Sequence, residues 1–324
     1  MKYRKLGRSH IKVSEIGFGA WGLGGWGPRD DAEGLRALER AYELGVTFYD
    51  TAYVYGDGHS EQLIGKTFAD RRDKVVIASK IPPKTFSWPI GEDEPVEKVY
   101  PKDWIVECTE RSLKNLNTDY IDVQQLHGWP ASYLNQLDWY DGFTKLQEQG
   151  KIRAFGVSAH DWDPYGPTEL ADACLVDSVQ VIYNIFDQRP EEKLFPAAEL
   201  SNVGIIVRVP FEEGLLTGAI RPDTAFPEGD WRNDWLTPDR KKEAWKRVEA
   251  LQTFLDADSP DLPTLALKFV LSHPATSTVI PGMRTVKHVE ANCAASDGKR
   301  LDQDTRDALK AHAFVHGWAY PWTH

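Results

Sequence analysis

The sequence predicts an α/β protein built as a closed (β/α)8 barrel, the TIM-barrel architecture. Eight short strand-like runs alternate with helix-like segments along the chain, and the runs are apolar throughout rather than at every second residue. Strands of that kind are typical of a parallel sheet covered by helices. Because such barrels commonly use well over two hundred residues as one unit, we expect residues 1–324 to form a single barrel domain.

The eight predicted strands are short and end where polar residues begin. Between them, apolar residues recur about every three positions, for example over 32–44 and over 240–255, which predicts amphipathic helices. Asp103 is the expected N-cap of the helix that follows the third strand. The predicted strands are Glu15–Gly19, Val46–Asp50, Val75–Lys80, Tyr120–Leu126, Ala154–Ser158, Ser178–Tyr183, Gly204–Val209 and Thr278–Pro281.

A doubly wound open sheet is the alternative fold. A dinucleotide-binding sheet of that class carries Gly-x-Gly-x-x-Gly where the first strand meets its helix. The glycines near the first predicted strand do not have that spacing before a helix; they are Gly17, Gly19, Gly22, Gly24 and Gly25. The barrel is therefore favoured.

Composition excludes several classes of function. A formal charge of −11 argues against nucleic-acid and anionic-membrane partners, which require a basic surface. The chain shows no secretory h-region, no apolar stretch long enough to span a membrane and no spacing typical of metal ligands. Its three scattered cysteines fit reduced structural thiols, so we expect a cytoplasmic protein. The sequence leaves open whether it acts as a monomer or a homo-oligomer.

Four polar residues lie at or just beyond the ends of separate predicted strands: Asp50, Tyr55, Lys80 and His127. In an α/β barrel the carboxyl ends of the strands form the face that carries catalytic residues. Three longer interruptions, 82–101, 129–140 and 221–239, also follow strand ends. We expect these loops to wall a pocket on the same face.

The chain resembles the aldo-keto reductase superfamily over nearly its whole length. The segment Asp50–Gly56 (DTAYVYG), followed by Ser60 and Glu61, is similar to the family signature, and Lys80 and His127 follow in the family order. Five further segments match in order: 17–21 (GFGAW), 156–158 (GVS), 180–184 (QVIYN), 210–218 (PFEEGLLTG) and 279–284 (VIPGMR). The resemblance also implies that the opening residues 2–13 form a β-hairpin closing the barrel floor.

The resemblance implies hydride transfer between a nicotinamide and a carbonyl or alcohol, and the residues explain how. The developing alkoxide needs a proton, which Tyr55 can donate as general acid if its pKa falls toward neutrality. We expect the Lys80 ammonium to lower that pKa and Asp50 to keep the lysine charged. His127 is expected to donate a hydrogen bond to the substrate oxygen.

The hydride must come from a bound cofactor, and the resemblance implies NADP(H). Ser158 and Gln180 would hold the carboxamide, Arg208 stands where many members stack a tyrosine on the nicotinamide, and residues 210–218 would cross the pyrophosphate. Arg284, at the start of a helix, is the expected 2′-phosphate ligand, which favours NADP over NAD. The full expected set is Gly19, Ala20, Ser158, Gln180, Arg208, Pro210, Gly214, Leu216, Gly282, Arg284, His288 and Asn292.

Besides Arg208, three departures from the commonest family pattern bear on the cofactor. Ala159 replaces a frequent Asn, Gly282 a frequent Lys and Ala291 a frequent Glu. A charged Arg208 should also speed release of the positively charged oxidised nucleotide.

Twelve tryptophans are many for this length, and several fall in the predicted mouth loops. Aromatic walls suit sugars, steroids, flavonoid-like rings or aromatic aldehydes. Trp21, Trp88 and Trp129 are the predicted pocket residues. Trp26, and the tail containing Trp318, Tyr320 and Trp322, are further aromatic groups whose role the sequence leaves open.

Two other functions remain as alternatives. The first is a cofactor-binding regulatory protein with little turnover, like the channel-associated β subunits of the superfamily. The presence of all four candidate catalytic residues, Asp50, Tyr55, Lys80 and His127, disfavours it. The second is an aldolase or isomerase on the same barrel, which would need a Schiff-base lysine or a metal.

Overall fold

The computed structural model describes residues 1–24 and 30–318, and it shows the predicted parallel barrel. Eight strands, β3 to β10, pair in sequence order with every neighbouring pair parallel. Each lies within two residues of a predicted strand or inside it. They are β3 (Phe18–Gly19), β4 (Phe48–Asp50), β5 (Val76–Ile81), β6 (Ile121–Leu126), β7 (Ile152–Ser158), β8 (Ser178–Ile182), β9 (Gly204–Arg208) and β10 (Thr276–Val279).

The first and last strands close the barrel. Gly17 donates its backbone N–H to the carbonyl of Val279 at 2.8 Å, and Gly19 donates to that of Pro281 at 3.0 Å. A Cβ atom at Gly19 would lie 2.6 Å from the carbonyl oxygen of Ile280, so only glycine allows this approach. Closure therefore accounts for one glycine of the 17–21 segment without invoking a ligand.

A β-hairpin fills the opposite end of the barrel. Strands β1 (Tyr3–Lys5) and β2 (Lys12–Ser14) pair antiparallel. Leu6, Ile11 and Val13 are buried against side chains that point into the barrel, including Phe48 and Ile206. The predicted hairpin at the barrel floor is confirmed, and the chemistry is left to the other end.

Helices lie between the strands. Asp30 caps α1 by accepting a hydrogen bond from the backbone N–H of Glu33 at 2.9 Å. The expectation that Asp103 caps α4 is wrong: that helix begins one residue earlier, after Pro101, and Asp103 lies in its first turn. The helices are α1 (Asp31–Glu43), α2 (His59–Thr67), α3 (Val96–Val99), α4 (Lys102–Leu116), α5 (Asp138–Glu148), α6 (Thr168–Asp172), α7 (Leu194–Ser201), α8 (Arg232–Trp235), α9 (Pro238–Ala250), α10 (Leu262–Leu271), α11 (Val286–Ala294) and α12 (Gln303–Lys310).

The three long interruptions contain short structured segments. The first holds α3, the second a 3-10 helix over Ala131–Asn135, and the third α8. All follow the carboxyl ends of strands and therefore lie on the face expected for the site. Trp26, Tyr320 and Trp322 fall outside the described residues. Within the described residues, no helix is long and apolar enough to cross a membrane.

Candidate active site

Three of the four predicted catalytic residues, Asp50, Tyr55 and Lys80, meet at the Lys80 ammonium group. Lys80, fully buried on β5, donates from Nζ to Asp50 Oδ1 at 2.5 Å and to the Thr51 carbonyl at 2.8 Å. The same nitrogen lies 3.3 Å from the Tyr55 hydroxyl. Asp50 ends β4 next to β5, so parallel strand pairing itself places the carboxylate beside the lysine. Ion pair and phenol form one connected cluster.

The charges at this cluster are set by burial and by the ion pair. Burial disfavours the ammonium form of Lys80, but Asp50 and Tyr55 outweigh it and the pKa of Lys80 is raised. Burial also raises the pKa of Tyr55, with Asp50 adding to the effect, more than Lys80 lowers it. The expectation that Lys80 brings the pKa of Tyr55 toward neutrality is therefore not met. The phenol stays protonated at neutral pH.

His127 follows β6 and faces the phenol. Its ring lies 5.9 Å from the Tyr55 ring, edge to face, and its backbone N–H donates to the carbonyl of Ile81 at 2.9 Å. Burial, with Lys80 and Arg208 nearby, holds the pKa of His127 well below its ordinary value. The imidazole is therefore neutral, and its Nδ1 is buried without a hydrogen-bond partner among the described residues.

Two glutamines support Asp50 from the barrel interior. Gln180 Nε2 donates to Asp50 Oδ2 at 2.8 Å, and Gln125 Nε2 lies 3.5 Å from the same oxygen. Both carboxylate oxygens of Asp50 are therefore engaged. The amide nitrogen of Gln180 thus faces Asp50, and its contact with the cofactor carboxamide stays a prediction. Gln125 was not predicted; its place on β6, at the level of Lys80 on β5, is the signal that would have found it.

A second buried carboxylate lies behind the cluster. Glu61 is fully buried and accepts from Ser79 Oγ at 2.5 Å and from Asn115 Nδ2 at 2.8 Å. Burial raises its pKa despite these bonds. Ser79 precedes Lys80 and faces the opposite side of the strand, toward the helices. Glu61 therefore anchors β5 to α2 and α4, and fixes the strand that carries Lys80.

The expected nicotinamide residues occupy adjacent strand ends. Ser158 ends β7 and lies opposite Gln180 on β8. Arg208 ends β9, where its Nη2 donates to Asp161 Oδ1 at 2.7 Å and to the Ala159 carbonyl at 2.9 Å. The guanidinium is thus already held in place on the side of the mouth next to Ser158.

The segment expected to cross the pyrophosphate has an unusual backbone. Glu212, Glu213 and Gly214 have φ of 46°, 52° and 97°, a run of left-handed residues. Burial and Glu212 raise the pKa of Glu213 to about 8. Gly214 tolerates its conformation, whereas the two glutamates adopt it at a cost. Pro210 and Leu216, the other predicted residues of this segment, are buried.

The region after β10 offers an exposed cation beside a helix start. Arg284 is exposed just before α11, and its side chain lies against Gly22. A Cβ atom at Gly282 would meet nothing within 4 Å, so the surface here is open. His288 is exposed in the first turn. Asn292 is buried and donates to the Gly282 carbonyl at 3.4 Å.

One carboxylate at this helix start was not predicted. Glu33 of α1 accepts from the backbone N–H of Val286 at 2.9 Å, and Thr285 Oγ1 accepts from that of His288 at 3.2 Å. Two of the first N–H groups of α11 are therefore already engaged. Glu33 also forms an ion pair with Arg36 at 2.6 Å. The anion site expected here depends mainly on Arg284.

The predicted pocket tryptophans divide into two kinds. Trp88 packs its ring edge to face on His127 at 5.1 Å, and Trp21 lies half-buried after β3. Trp129 has no exposed surface and packs on Trp139 at 5.0 Å. It belongs to the core under the loops, so its assignment to the pocket is wrong. Aromatic neighbours in the loop and in α5 pack against the ring and bury it. Ala20 is also fully buried, and its carbonyl accepts from Ser60 Oγ.

A cavity of about 340 Å³ opens on the same face. Its wall includes Pro89, Asp161 and Ile182 together with residues 314–318 of the C-terminal tail. Asp161 is the partner of Arg208, and Pro89 follows Trp88, which touches His127. The cavity therefore adjoins the catalytic cluster without including it. Among the described residues, no group of His, Cys, Asp and Glu could hold a metal ion.

A parallel barrel whose strand ends bring together Asp, Tyr, Lys and His is the arrangement of an oxidoreductase that moves a hydride and a proton. Comparison with known proteins agrees with this class. The model of the Aldo/keto reductase family matches residues 15–313. The chain belongs to that family.

Its relatives match over nearly their full length. An uncharacterized oxidoreductase of Bacillus subtilis, YqkF, is 30% identical, with 96% of each chain covered. The aldo-keto reductase yakc [NADP(+)] of Schizosaccharomyces pombe is 30% identical over 98% of this chain and 94% of its own. The holo form of the aldo-keto reductase AKR11C1 from Bacillus halodurans has a TM-score of 0.77, with 29% identity and all of both chains covered.

Proposed function

We propose that this protein reduces an aldehyde or ketone with NADPH, or oxidises the corresponding alcohol with NADP, and that Tyr55 is the general acid and base. The observation that carries the proposal is the position of Lys80 Nζ, 2.5 Å from Asp50 Oδ1 and 3.3 Å from the Tyr55 hydroxyl in a buried cluster. A lysine held in this way is charged, and a charge at that distance stabilises phenolate.

The chain's own residues account for the proton. A bound nicotinamide supplies the hydride. The Tyr55 hydroxyl donates its proton to the oxygen that becomes an alkoxide, and the Lys80 ammonium stabilises the phenolate left behind. The Asp50 side chain, which accepts from Lys80 and Gln180, raises the pKa of Lys80 and so favours its ammonium form. Neutral His127 donates an N–H to the same substrate oxygen and orients it.

The protonation states favour reduction. The raised pKa of Tyr55 keeps the phenol protonated at neutral pH, which is the form that donates. The lowered pKa of His127 keeps the imidazole neutral, with one N–H to give and no charge of its own. Alcohol oxidation needs the phenolate and is therefore the slower direction near pH 7.

The nucleotide is proposed to be NADP(H), bound by the strand ends from β7 to β10. Ser158, Arg208 and the 210–218 segment would hold the nicotinamide and pyrophosphate, and Arg284 the 2′-phosphate. An NADP(+)-dependent relative supports this choice. Glu33 at the same helix start works against a phosphate. We therefore propose a preference for NADP(H) in which NAD(H) remains usable.

The test is a comparison of two tyrosines on one loop. Tyr55→Phe is expected to lower kcat for NADPH-dependent carbonyl reduction by about 100- to 10,000-fold, the range of a lost general acid. Its dissociation constant for NADPH should stay within about twofold, since the hydroxyl is aimed at the carbonyl. Tyr53→Phe, which faces Arg111 at the surface, is the matched control and should keep full activity. Equal activity of the two variants would contradict the assignment.

The same assay separates the alternatives. A regulatory protein would bind NADPH, quench its fluorescence and turn over none of a panel of aldehydes, ketoses, steroids and sugar alcohols. A Schiff-base enzyme would be labelled covalently on Lys80 when borohydride is added with substrate. The buried ion pair with Asp50 predicts no such label, because a charged lysine is not a nucleophile.

A further inference from the structure

The cavity beside the catalytic cluster has one flat aromatic wall. The Trp162 ring stacks on the His160 ring with centroids 4.8 Å apart and planes 9° apart. Its side chain is still 44% exposed, which is high for an indole. The exposed part of Trp162 forms part of the lining of the cavity. A planar surface is therefore presented to whatever enters.

The C-terminal tail, residues 314–318, forms another part of the cavity wall. Phe314 donates its backbone N–H to the Phe186 carbonyl at 2.8 Å. The His316 ring stacks on the Trp318 ring with centroids 4.3 Å apart and planes 19° apart. The Trp235 ring packs edge to face on both. The tail is thus a packed aromatic unit rather than an open strand of chain.

A side-chain hydrogen bond from His316 also ties this unit to the barrel mouth, and it requires one tautomer of the ring. The backbone N–H of Trp318 donates to His316 Nδ1 at 3.1 Å, so Nδ1 is the unprotonated nitrogen. His316 Nε2 therefore carries the proton and donates to Glu212 Oε1 at 2.8 Å. Both side chains are at least 90% buried, at 10% and 5% exposure. A bond so shielded from water is worth more than a surface contact.

The Glu212 carboxylate is in turn hydrogen-bonded by Asn184, which follows β8. Its other oxygen accepts from Asn184 Nδ2 at 2.6 Å, and the same amide donates to the Val209 carbonyl at 2.9 Å. Asn184 Oδ1 accepts from the backbone N–H groups of Phe186 and Asp187 at 2.8 and 2.9 Å. These bonds hold Glu212 in its left-handed conformation. The carboxylate thus links the end of β8, the 210–218 segment and the tail.

We propose that Glu212 is a positioning residue that seats residues 314–318 through His316, and that the seated tail and Trp162 form a slot selective for carbonyl compounds bearing a planar ring. The proposal rests on the proposed function, because it concerns the outer part of the same substrate site. Glu212 touches no reacting atom. Its effect is on which substrates fit.

The chemistry of the slot favours a ring with a few polar substituents. Phe314, Val315 and Trp318 provide apolar surface on the tail side, and Ile182 on the barrel side. Asp187 and Arg189, joined at 2.6 Å, supply polar atoms at the rim. A volume of about 340 Å³ accommodates one such ring system. A carbonyl compound of three or four carbons reaches Tyr55 without entering the slot.

The experiment compares two changes at one position. His316→Phe keeps a ring for Trp318 and Trp235 and removes the donor to Glu212, whereas His316→Gln keeps a donor and removes the ring. Glu212→Gln leaves one acceptor for two donors, His316 and Asn184. His312→Phe, a ring exchange outside the cavity lining, is the matched control. Each variant is assayed at saturating NADPH with a benzaldehyde derivative and with propanal, and its melting temperature is recorded.

The expected result is a selective change in KM. His316→Phe should raise KM for the benzaldehyde by about tenfold, keep kcat within about twofold, and leave both constants for propanal unchanged. Glu212→Gln lies in the segment proposed to cross the pyrophosphate, so it is judged by the ratio of kcat/KM between the two aldehydes, which should fall in the same direction. His316→Gln should restore part of the loss, and His312→Phe should match the wild type. An unchanged ratio of kcat/KM between the two aldehydes in both variants would overturn the proposal. Parallel losses for both aldehydes would also overturn it, since they indicate a general structural role. If the wild type turns over neither aldehyde nor any other carbonyl, the proposed function itself has failed.

Discussion

Replacing Lys80 by Met tests whether the ammonium acts through the phenol. The charge lies 3.3 Å from the Tyr55 oxygen, which at an effective dielectric constant of about 20 gives roughly 5 kcal/mol of phenolate stabilisation. Asp50, 2.5 Å from the same ammonium, opposes part of it. With about half remaining, near 2.5 kcal/mol, the expected loss in kcat/KM for reduction is roughly 70-fold.

The assay is steady-state NADPH oxidation with one good aldehyde, run on a double-mutant cycle. If Lys80 works through Tyr55, Lys80→Met should cost the full factor in the wild type and less than about twofold in Tyr55→Phe. NADPH affinity, measured by fluorescence, should change little in all four proteins. Lys80→Met also leaves Asp50 buried with Gln180 as its main hydrogen-bond donor, so we expect a lower melting temperature. The assays are therefore run well below that temperature. Losses that multiply across the cycle would refute the coupling.

Three further predictions concern charge and cofactor. Burial raises the pKa of Tyr55 above its ordinary value near 10 and lowers that of His127 well below 6.5. The rate of carbonyl reduction should therefore be constant from about pH 6 to 8, while the rate of alcohol oxidation rises with pH. A change in the reduction rate near pH 6.5 that disappears in His127→Gln would contradict this. Arg284→Ala should weaken NADPH at least about tenfold more than NADH and Glu33→Gln should shift preference toward NADPH, whereas equal changes for both nucleotides in titrations would remove the phosphate assignment. Arg208→Tyr should slow release of the oxidised nucleotide roughly fivefold in stopped-flow experiments. The factor corresponds to about 1 kcal/mol of repulsion between Arg208 and the positively charged nicotinamide, a repulsion that Asp161 already reduces. An unchanged release rate would rule out the charge effect.

The fold could be predicted because the barrel has a strong local signal. Strands such as β5 and β6 are buried on both faces, so their sequences are short apolar runs, and the proposed catalytic residues lie where those runs end. Lys80 and Asp50 were placed together correctly because neighbouring parallel strands end at the same level. That inference needs strand order alone, which the alternating pattern supplies.

What the sequence missed depends on contacts between distant segments. Trp129 follows a catalytic strand end, as a pocket residue should, yet Tyr133 and Trp139 bury it, and no pattern in the sequence distinguishes these outcomes. Glu33 reads as an ordinary first-turn residue of α1, and its role at α11 arises from packing of the two helices. The pKa of Tyr55 was misjudged because Coulomb attraction was estimated without the opposing effect of burial.

Closure of the barrel between Gly17 or Gly19 and the chain after β10 has a consequence for heat resistance. The closure relies on a two-residue strand and a few backbone hydrogen bonds. Residues proposed to bind the nucleotide lie on both sides of this closure: Gly19 on the β3 side, and Gly282 and Arg284 on the β10 side. A bound dinucleotide would therefore join the first and last strands of the barrel and raise its melting temperature. The melting temperature then measures nucleotide binding even when no carbonyl compound is reduced.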